Sequence, residues 1–253
     1  MVVESAKERR GAAVGRRSRP RMALPLTTVD VVAFSVSGDA LQVLLVRRPK
    51  QEGEPFPGRW ALPGGFVDVD FDADLLACAR RKLRDKTARV SPYLEQLGSW
   101  GSAARDPRGW SATHAYLALL PGESAAAARG ADASGASWRS LDEVLQKGGL
   151  AFDHLDIVEA AVERLRNKAE YTSLPAFLLA EPFSLPQLQH AYEVVLGRPV
   201  DKSGFRTRTL AARFLAEAGP LEGESNRPAM GYRLLDRAAP AFFPRTFSPR
   251  TGH

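Results

Sequence analysis

Gly64-Gly65 is followed a short way along the chain by Arg81-Lys82-Leu83-Arg84-Asp85-Lys86. On a helix, positions 82, 85 and 86 stand at i, i+3 and i+4 and share one face. Carboxylates at that spacing, beside a glycine turn, would supply hard oxygens to hold Mg²⁺ against a diphosphate. Here the face carries one carboxylate and two ammonium groups. Each ammonium would repel a divalent ion by several kcal/mol, even at an effective dielectric of about 20. A lysine ammonium can instead neutralise a phosphate directly. Lys82 or Lys86, with Arg47, Arg59 and Arg105 near Gly64 and Gly65, is the candidate set for holding a nucleotide diphosphate without chemistry. The competing reading makes Lys82 and Lys86 a solvated basic face. Asp85 is expected to pair with Arg81 or Arg89, each one helical turn away. Asp68, Asp70, Asp72, Asp74 and Glu95 are the remaining nearby acids. No catalytic residue, metal ligand or cofactor is assigned.

A second constellation lies far downstream. Lys202, Ser203, Arg206, Thr207, Arg208 and Thr209 fall in the first turns of a predicted helix. A helix that reads DNA offers base-contacting groups near its N-terminus. Arginine reads guanine edges, and lysine and threonine hold the backbone. The helix's free amides would also suit phosphates. Arg227, in Asn226-Arg227-Pro228-Ala229-Met230-Gly231-Tyr232, is placed to meet phosphate or the minor groove. The predicted DNA-contacting set is Lys202, Ser203, Arg206, Arg208, Thr209 and Arg227. The bland alternative is a helical appendage used for dimerisation.

The elements that position these groups are legible from periodicity. Residues 28–36 and 41–46 are β-branched runs flanking the turn Ser37-Gly38-Asp39, a hairpin near the centre of a sheet. Residues 60–67 enter a short strand and glycine turn. Residues 75–88 form a helix with Leu75, Leu76, Ala79 and Leu83 on one face. Residues 94–100 and 111–120 are strands around the turn-rich Arg105-Asp106-Pro107-Arg108-Gly109. Residues 141–146 form a short helix. Residues 153–169 are an amphipathic helix with the stripe Ile157, Ala161, Val162, Leu165. Residues 171–183, with Pro175 and Pro182, form a junction. Ser184-Leu185-Pro186-Gln187 is a capping box opening a helix that stops at Gly197. A second helix spans 201–217 with Phe205, Leu210, Phe214 and Leu215 inward, and residues 222–233 form a turn between two short strands. Two short helices and such a turn spell a winged helix.

Residues 25–150 resemble the Nudix fold through Trp60-Ala61-Leu62-Pro63-Gly64-Gly65-Phe66-Val67 and the segment around Arg81. Arg81 matches that family's arginine, but Lys82, Asp85 and Lys86 stand where it has glutamates, and Ala88 where it has glycine. The segment from Gly65 to Arg81 is two residues longer than the family pattern. The upstream glutamate position therefore falls among Phe71, Asp72 and Asp74.

Joined to the winged helix, the chain resembles the Nudix-related transcriptional regulators of the NrtR group. Further matching pieces include Leu150-Ala151-Phe152-Asp153-His154, Glu170-Tyr171-Thr172 and the run from Leu196 to Arg206. The resemblance covers about residues 25–237. It implies a homodimeric repressor of NAD-metabolism genes on a palindromic operator in double-stranded DNA. It further implies ADP-ribose or a related nucleotide as effector in the Nudix pocket. The alternative is a metal-dependent Nudix hydrolase of ADP-ribose or other nucleoside diphosphate derivatives. The expected fold is α+β: a Nudix-like α/β/α sandwich followed by a winged helix-turn-helix.

The chain has 253 residues, 44% hydrophobic and 25% charged, with net charge +6. Residues 1–22 carry seven basic side chains against two acidic, and residues 184–253 ten against six. Basic ends suggest an anionic partner, nucleic acid first. A single cysteine, Cys78, excludes an intrachain disulfide and suits a reducing, cytoplasmic setting. No run is long enough to span a membrane. The expected organisation is a disordered basic arm at 1–24, a Nudix-like ligand-binding domain at 25–170, a winged helix at 171–237 and an irregular tail at 238–253. His154 is read as a core or helix-start residue.

Overall fold

The computed structural model describes residues 24–87, 91, 93–122, 135–221 and 228–243. A mixed seven-stranded sheet forms the first layer system. Its strands are β1 (Leu26–Ser37), β2 (Ala40–Arg47), β3 (Trp60–Ala61), β4 (Gly64–Phe66), β5 (Tyr93–Asp106), β6 (Gly109–Leu119) and β7 (Ala136–Ser140). The main path runs β3-β2-β1-β6-β5, with β4 paired to β1 and β7 to β2. Central β1 runs parallel to β6 and antiparallel to β2.

Residues 29–35 of β1 are buried without interruption, because both sheet faces are covered. Alternate residues serve different layers. Val29, Val31 and Ala33 pack with Cys78, Ala79 and Leu83 of α1 (Leu75–Thr87). Val32 and Phe34 join Ile157, Ala161, Val162 and Leu165 of the long helix on the opposite face. Numbered in order, the further helices are α2 (Leu141–Lys147) and that long helix, α3 (His154–Ala169). This is the expected α/β/α sandwich.

The segment read as a junction is packed solid. Leu174–Leu178 forms a buried 3₁₀ turn. Its Leu174, Phe177 and Leu178 belong to one core cluster that extends from the large sheet to Tyr192, Phe205, Tyr232 and Phe243. Beyond it come β8 (Phe183–Ser184), α4 (Leu185–Leu196), α5 (Lys202–Ala211), β9 (Leu215–Pro220) and β10 (Met230–Leu234). The small sheet runs β8-β10-β9 beside two helices, the winged-helix arrangement.

The start of α4 follows its sequence signal. Ser184 Oγ accepts from Gln187 N while Gln187 Oε1 accepts from Ser184 N. Its end is Gly197 in the left-handed region at φ 67°.

Three expectations need correction. The second helix does not reach residue 217. It ends at Ala211, Arg213 takes φ 51°, and Leu215–Pro220 pairs with β10 as a strand. Leu210, expected inward, is 41% exposed, because the inward face is set by Phe205 and Thr209 at i, i+4. The tail from residue 238 begins in order: Phe243 is buried against Phe214 and Tyr192, and its N–H donates to Tyr171 O at 2.7 Å. Among the described residues no helix is long and apolar enough to cross a membrane. The basic arm, Arg89 and Arg227 lie outside the described residues.

Candidate functional site

A pocket of about 410 Å³ opens where the ends of β1, β2 and β5 meet the glycine turn. Its floor is a buried charge network. Arg105, at the end of β5, donates through Nη2 to Asp30 Oδ2 at 3.0 Å and through Nε to Asp153 at 2.8 and 2.9 Å. Thr113 Oγ1 donates to Asp30 at 2.7 Å. His154 Nδ1 accepts from Leu62 N at 2.9 Å, which leaves Nε2 facing Asp30 Oδ2 at 3.4 Å. Burial opposes the charge on Asp30, yet His154, Arg105 and Thr113 outweigh it and hold the carboxyl below its ordinary range. Gly64 must be glycine here: a Cβ would stand 2.0 Å from Asp30 Oδ1 and 2.6 Å from Val29 O.

The pocket walls are basic. Arg48 is tied to Glu54 at 2.7 Å and Arg108 to Asp106 at 2.8 Å. Arg47 lies over the Trp60 ring at 5.1 Å, and Arg139 lies over the same ring at 5.3 Å. Among the described residues neither Arg47 nor Lys86 forms an ion pair, and both line the pocket.

The structure thus gathers Arg47, Gly64, Gly65, Lys86 and Arg105 at one pocket. It gives them different roles. Arg105 is 7% exposed and already engaged by two carboxylates, so it builds the floor rather than waiting for a phosphate. Arg59 lies outside the lining and stands over Phe56 at 5.8 Å. Lys82 turns its ammonium against Gly65, 3.1 Å from where a Cβ would be, and does not line the pocket.

The expected Asp85–Arg81 pair does not form. Arg81 is clamped instead by Asp72, Nε to Oδ1 at 2.7 Å and Nη2 to Oδ2 at 2.5 Å. That bidentate contact draws the Asp72 carboxyl well below the usual range. Loop geometry wins because Asp72 reaches both donor nitrogens, whereas Asp85 is exposed on the helix. Asp74, the other upstream candidate acid, caps α1 by accepting from Ala77 N at 2.7 Å. The residues do not fit a Nudix metal centre. Its helix positions hold Lys82 and Lys86, and Asp72 and Asp74 are engaged. Among the described residues no group of three or more His, Cys, Asp or Glu side chains could hold a metal ion.

Sequence reasoning missed Asp30, Thr113 and His154 as the floor. One signal was available for Asp30. It is the lone acid inside Thr28-Val29-Asp30-Val31-Val32, a strand buried on both faces, where a charge must find partners.

On α5, Lys202, Ser203 and Arg206 are exposed and Arg208 is half-buried. Thr209 is 1% exposed and points into the core, so it cannot touch DNA from this helix phase. The N-terminus of α5 is capped by Asp201, whose Oδ2 accepts from Gly204 N at 2.6 Å. That carboxylate takes the place proposed for a phosphate. Leu221 N donates to Ala229 O at 2.8 Å and closes the base of the wing.

Helix α3 joins the two regions. Its first residue, His154, and the preceding Asp153 belong to the pocket floor. At its far end Arg166 Nε donates to Val195 O at 3.2 Å, and Glu170 pairs with Arg198 at 2.6 Å.

Comparison with known proteins matches both halves. The NUDIX domain family matches residues 26–161 and the NrtR DNA-binding winged helix domain matches residues 175–234. The chain is 43% identical over 221 residues to the "ADPR responsive transcriptional repressor NtrR" of Acinetobacter baylyi, covering 87% of this chain and 86% of that one. The crystal structure of Shewanella oneidensis NrtR complexed with a 27mer DNA superposes with a TM-score of 0.80 at 44% identity, covering 88% of this chain and 99% of that chain. An ADP-ribose pyrophosphatase of Methanocaldococcus jannaschii is 32% identical over 119 residues, 47% of this chain and 64% of that protein.

Proposed function

We propose that this chain, which belongs to the NrtR group of Nudix-related transcriptional regulators, is a repressor that releases DNA when a nucleotide fills its Nudix pocket. The observation that carries the reading is one chain with two complementary basic sites. The pocket presents Arg47 and Lys86, neither in an ion pair among the described residues, and Lys86 stands where the Nudix family has a glutamate. The winged helix presents Lys202, Ser203 and Arg206 on the exposed face of its second helix.

The effector is ADP-ribose or a related nucleoside diphosphate derivative, as the name of the Acinetobacter relative indicates for that protein. The pocket binds it without hydrolysis, because Lys82 and Lys86 repel a divalent cation and Arg81 occupies Asp72. The operator is palindromic and the protein homodimeric, since one reading helix contacts one half-site and two-fold symmetry supplies the second. NAD and cofactor metabolism is the regulated pathway class. A cytoplasmic setting suits a DNA-binding protein with one buried thiol.

Binding to a duplex from the chain's own upstream region, across a salt series and with saturating ADP-ribose, tests this reading. Expected are tight, sequence-selective binding, its loss on adding ADP-ribose, and an ADP-ribose pool that survives incubation with Mg²⁺. Weak, sequence-blind binding abolished by moderate salt would mean charge attraction alone. Turnover of the nucleotide would establish the hydrolase instead.

A further inference from the structure

The last described residues of the chain return to the junction between the two domains. Ser173 N donates to Ala241 O at 2.8 Å, and Ala241 N donates to Ser173 Oγ at 2.9 Å. Phe243 N donates to Tyr171 O at 2.7 Å, and Thr172 faces Phe242 in an antiparallel bridge. Residues 241–243 thus form a strap laid along 171–173, the segment that leaves the end of α3. On the way to it, residues 239–241 line a hollow of about 260 Å³ together with Ala212, Arg213 and Phe214. The approach crosses open space, and the fastening falls to residues 241–243.

Phe243 ties the strap to the DNA-reading helix. Its ring centroid lies 5.6 Å from that of Phe214, which follows α5, and 6.5 Å from that of Tyr192 on α4. Tyr192 meets Phe205 of α5 edge to face at 5.2 Å, and its hydroxyl donates to Thr172 O at 2.7 Å. Both ends of α5 are held from the strap's side, Phe205 near its start and Phe214 just past its end. Arg213, between α5 and Phe214, takes φ 51°, a left-handed conformation that residues other than glycine avoid. Such a turn persists only where its surroundings over-determine it. Here Phe214 O accepts from Leu235 N at 2.9 Å, and the Phe243 ring packs on the Phe214 side chain.

We propose that residues 241–243 are a positioning strap that fixes α5 at one angle to the end of α3, and that operator selectivity depends on this angle. The strap acts through Phe214 and Tyr192 rather than by contact with DNA. The inference rests on the DNA-binding reading above. Base readout requires side chains set within hydrogen-bond distance of particular base edges. Attraction to phosphates is sequence-blind and survives a change of angle. A reading helix free to tilt keeps the second and loses the first.

The test uses the full chain and compares a duplex from its own upstream region with a random duplex of equal length, across a salt series. Circular dichroism checks that each variant is folded at the temperature of the binding measurement. Phe243→Ala should lower the ratio of specific to random affinity about tenfold, the worth of one misread base pair. Affinity for the random duplex and the salt slope should stay unchanged, because no cationic contact is lost. Phe243→Leu, which refills much of the space, should restore most of the ratio. Ser173→Ala removes only the side-chain acceptor for Ala241 N and should lower the ratio about threefold. It tests the strap even if Phe243→Ala does not fold. An unchanged ratio in the folded variants, or an equal loss on both duplexes, would overturn the strap and leave the DNA-binding reading standing. No preference of the unaltered chain for its upstream duplex would overturn both.

Discussion

The Nε of Arg105 lies 2.8 and 2.9 Å from the two carboxylate oxygens of Asp153, the residue that opens α3. The same guanidinium holds Asp30 on the central strand. One buried arginine thereby fastens the long helix to the sheet, directly beneath the candidate effector pocket.

Removing Asp30 from this network should be costly. Asp30 and Arg105 side chains are 6% and 3% exposed, but Arg105 keeps Asp153 when the Asp30 charge is lost. Asp30→Asn is therefore expected to lower stability by about 1–3 kcal/mol in urea denaturation, the worth of charge-assisted hydrogen bonds rather than of an orphaned charge. The pH dependence has a defined sign. The folded carboxyl titrates below its ordinary 3.8, so as pH falls the unfolded chain is protonated first. The contribution is complete above the unfolded value and is lost as pH drops through the folded one. Stability of the unaltered chain should fall below about pH 4, and Asp30→Asn should flatten that fall.

Arg206→Ala should weaken operator binding and reduce the slope of log affinity against log salt by about 1 if it contacts a phosphate. If Arg206 reads a base, the loss should fall on one operator position, about 1–3 kcal/mol. Thr209→Val, at a buried position, should leave the salt slope unchanged. Fluorescence anisotropy on matched duplexes separates these outcomes.

Cys78 should be chemically quiet. Burial, helped by hydrogen bonding and proximity to Asp72, pushes its thiol up to about 11. Labelling by a thiol-specific disulfide reagent at pH 8 should be slow in the folded protein. One thiol per chain should react promptly in denaturant.

Phe243 is 7% exposed and packs between Phe214 and Tyr192. Phe243→Ala should cost about 3–5 kcal/mol, seen as a lower thermal midpoint. Because the anchor lies across Tyr171 and the core of the winged helix, limited proteolysis should cut this region earlier in the variant.

Wherever a local signal and a packing demand coincided, the chain was readable. The Ser184 capping box, the Gly197 stop, the stripe of α3 and the hairpin around Gly38 all lie where their residues place them. Positions 82, 85 and 86 declared a helix face poor in metal ligands. What local pattern could not settle was partner choice. Residues 212–217 continue a plausible helix until β10 offers its edge, and strand pairing wins. Thr209 carries a polar group suited to DNA, yet the phase set by Phe205 turns it inward. Arg81 had Asp85 one turn away but found Asp72, because a loop delivered both oxygens to its two nitrogens. Arg105 had the chemistry of a phosphate ligand. Only the tertiary structure, by bringing Asp30 and Asp153 to it from distant parts of the chain, made it the floor of the pocket. Spacing along one element is a local property written in residue order, whereas the pairing of buried charges is decided by where the folded backbone sets them down.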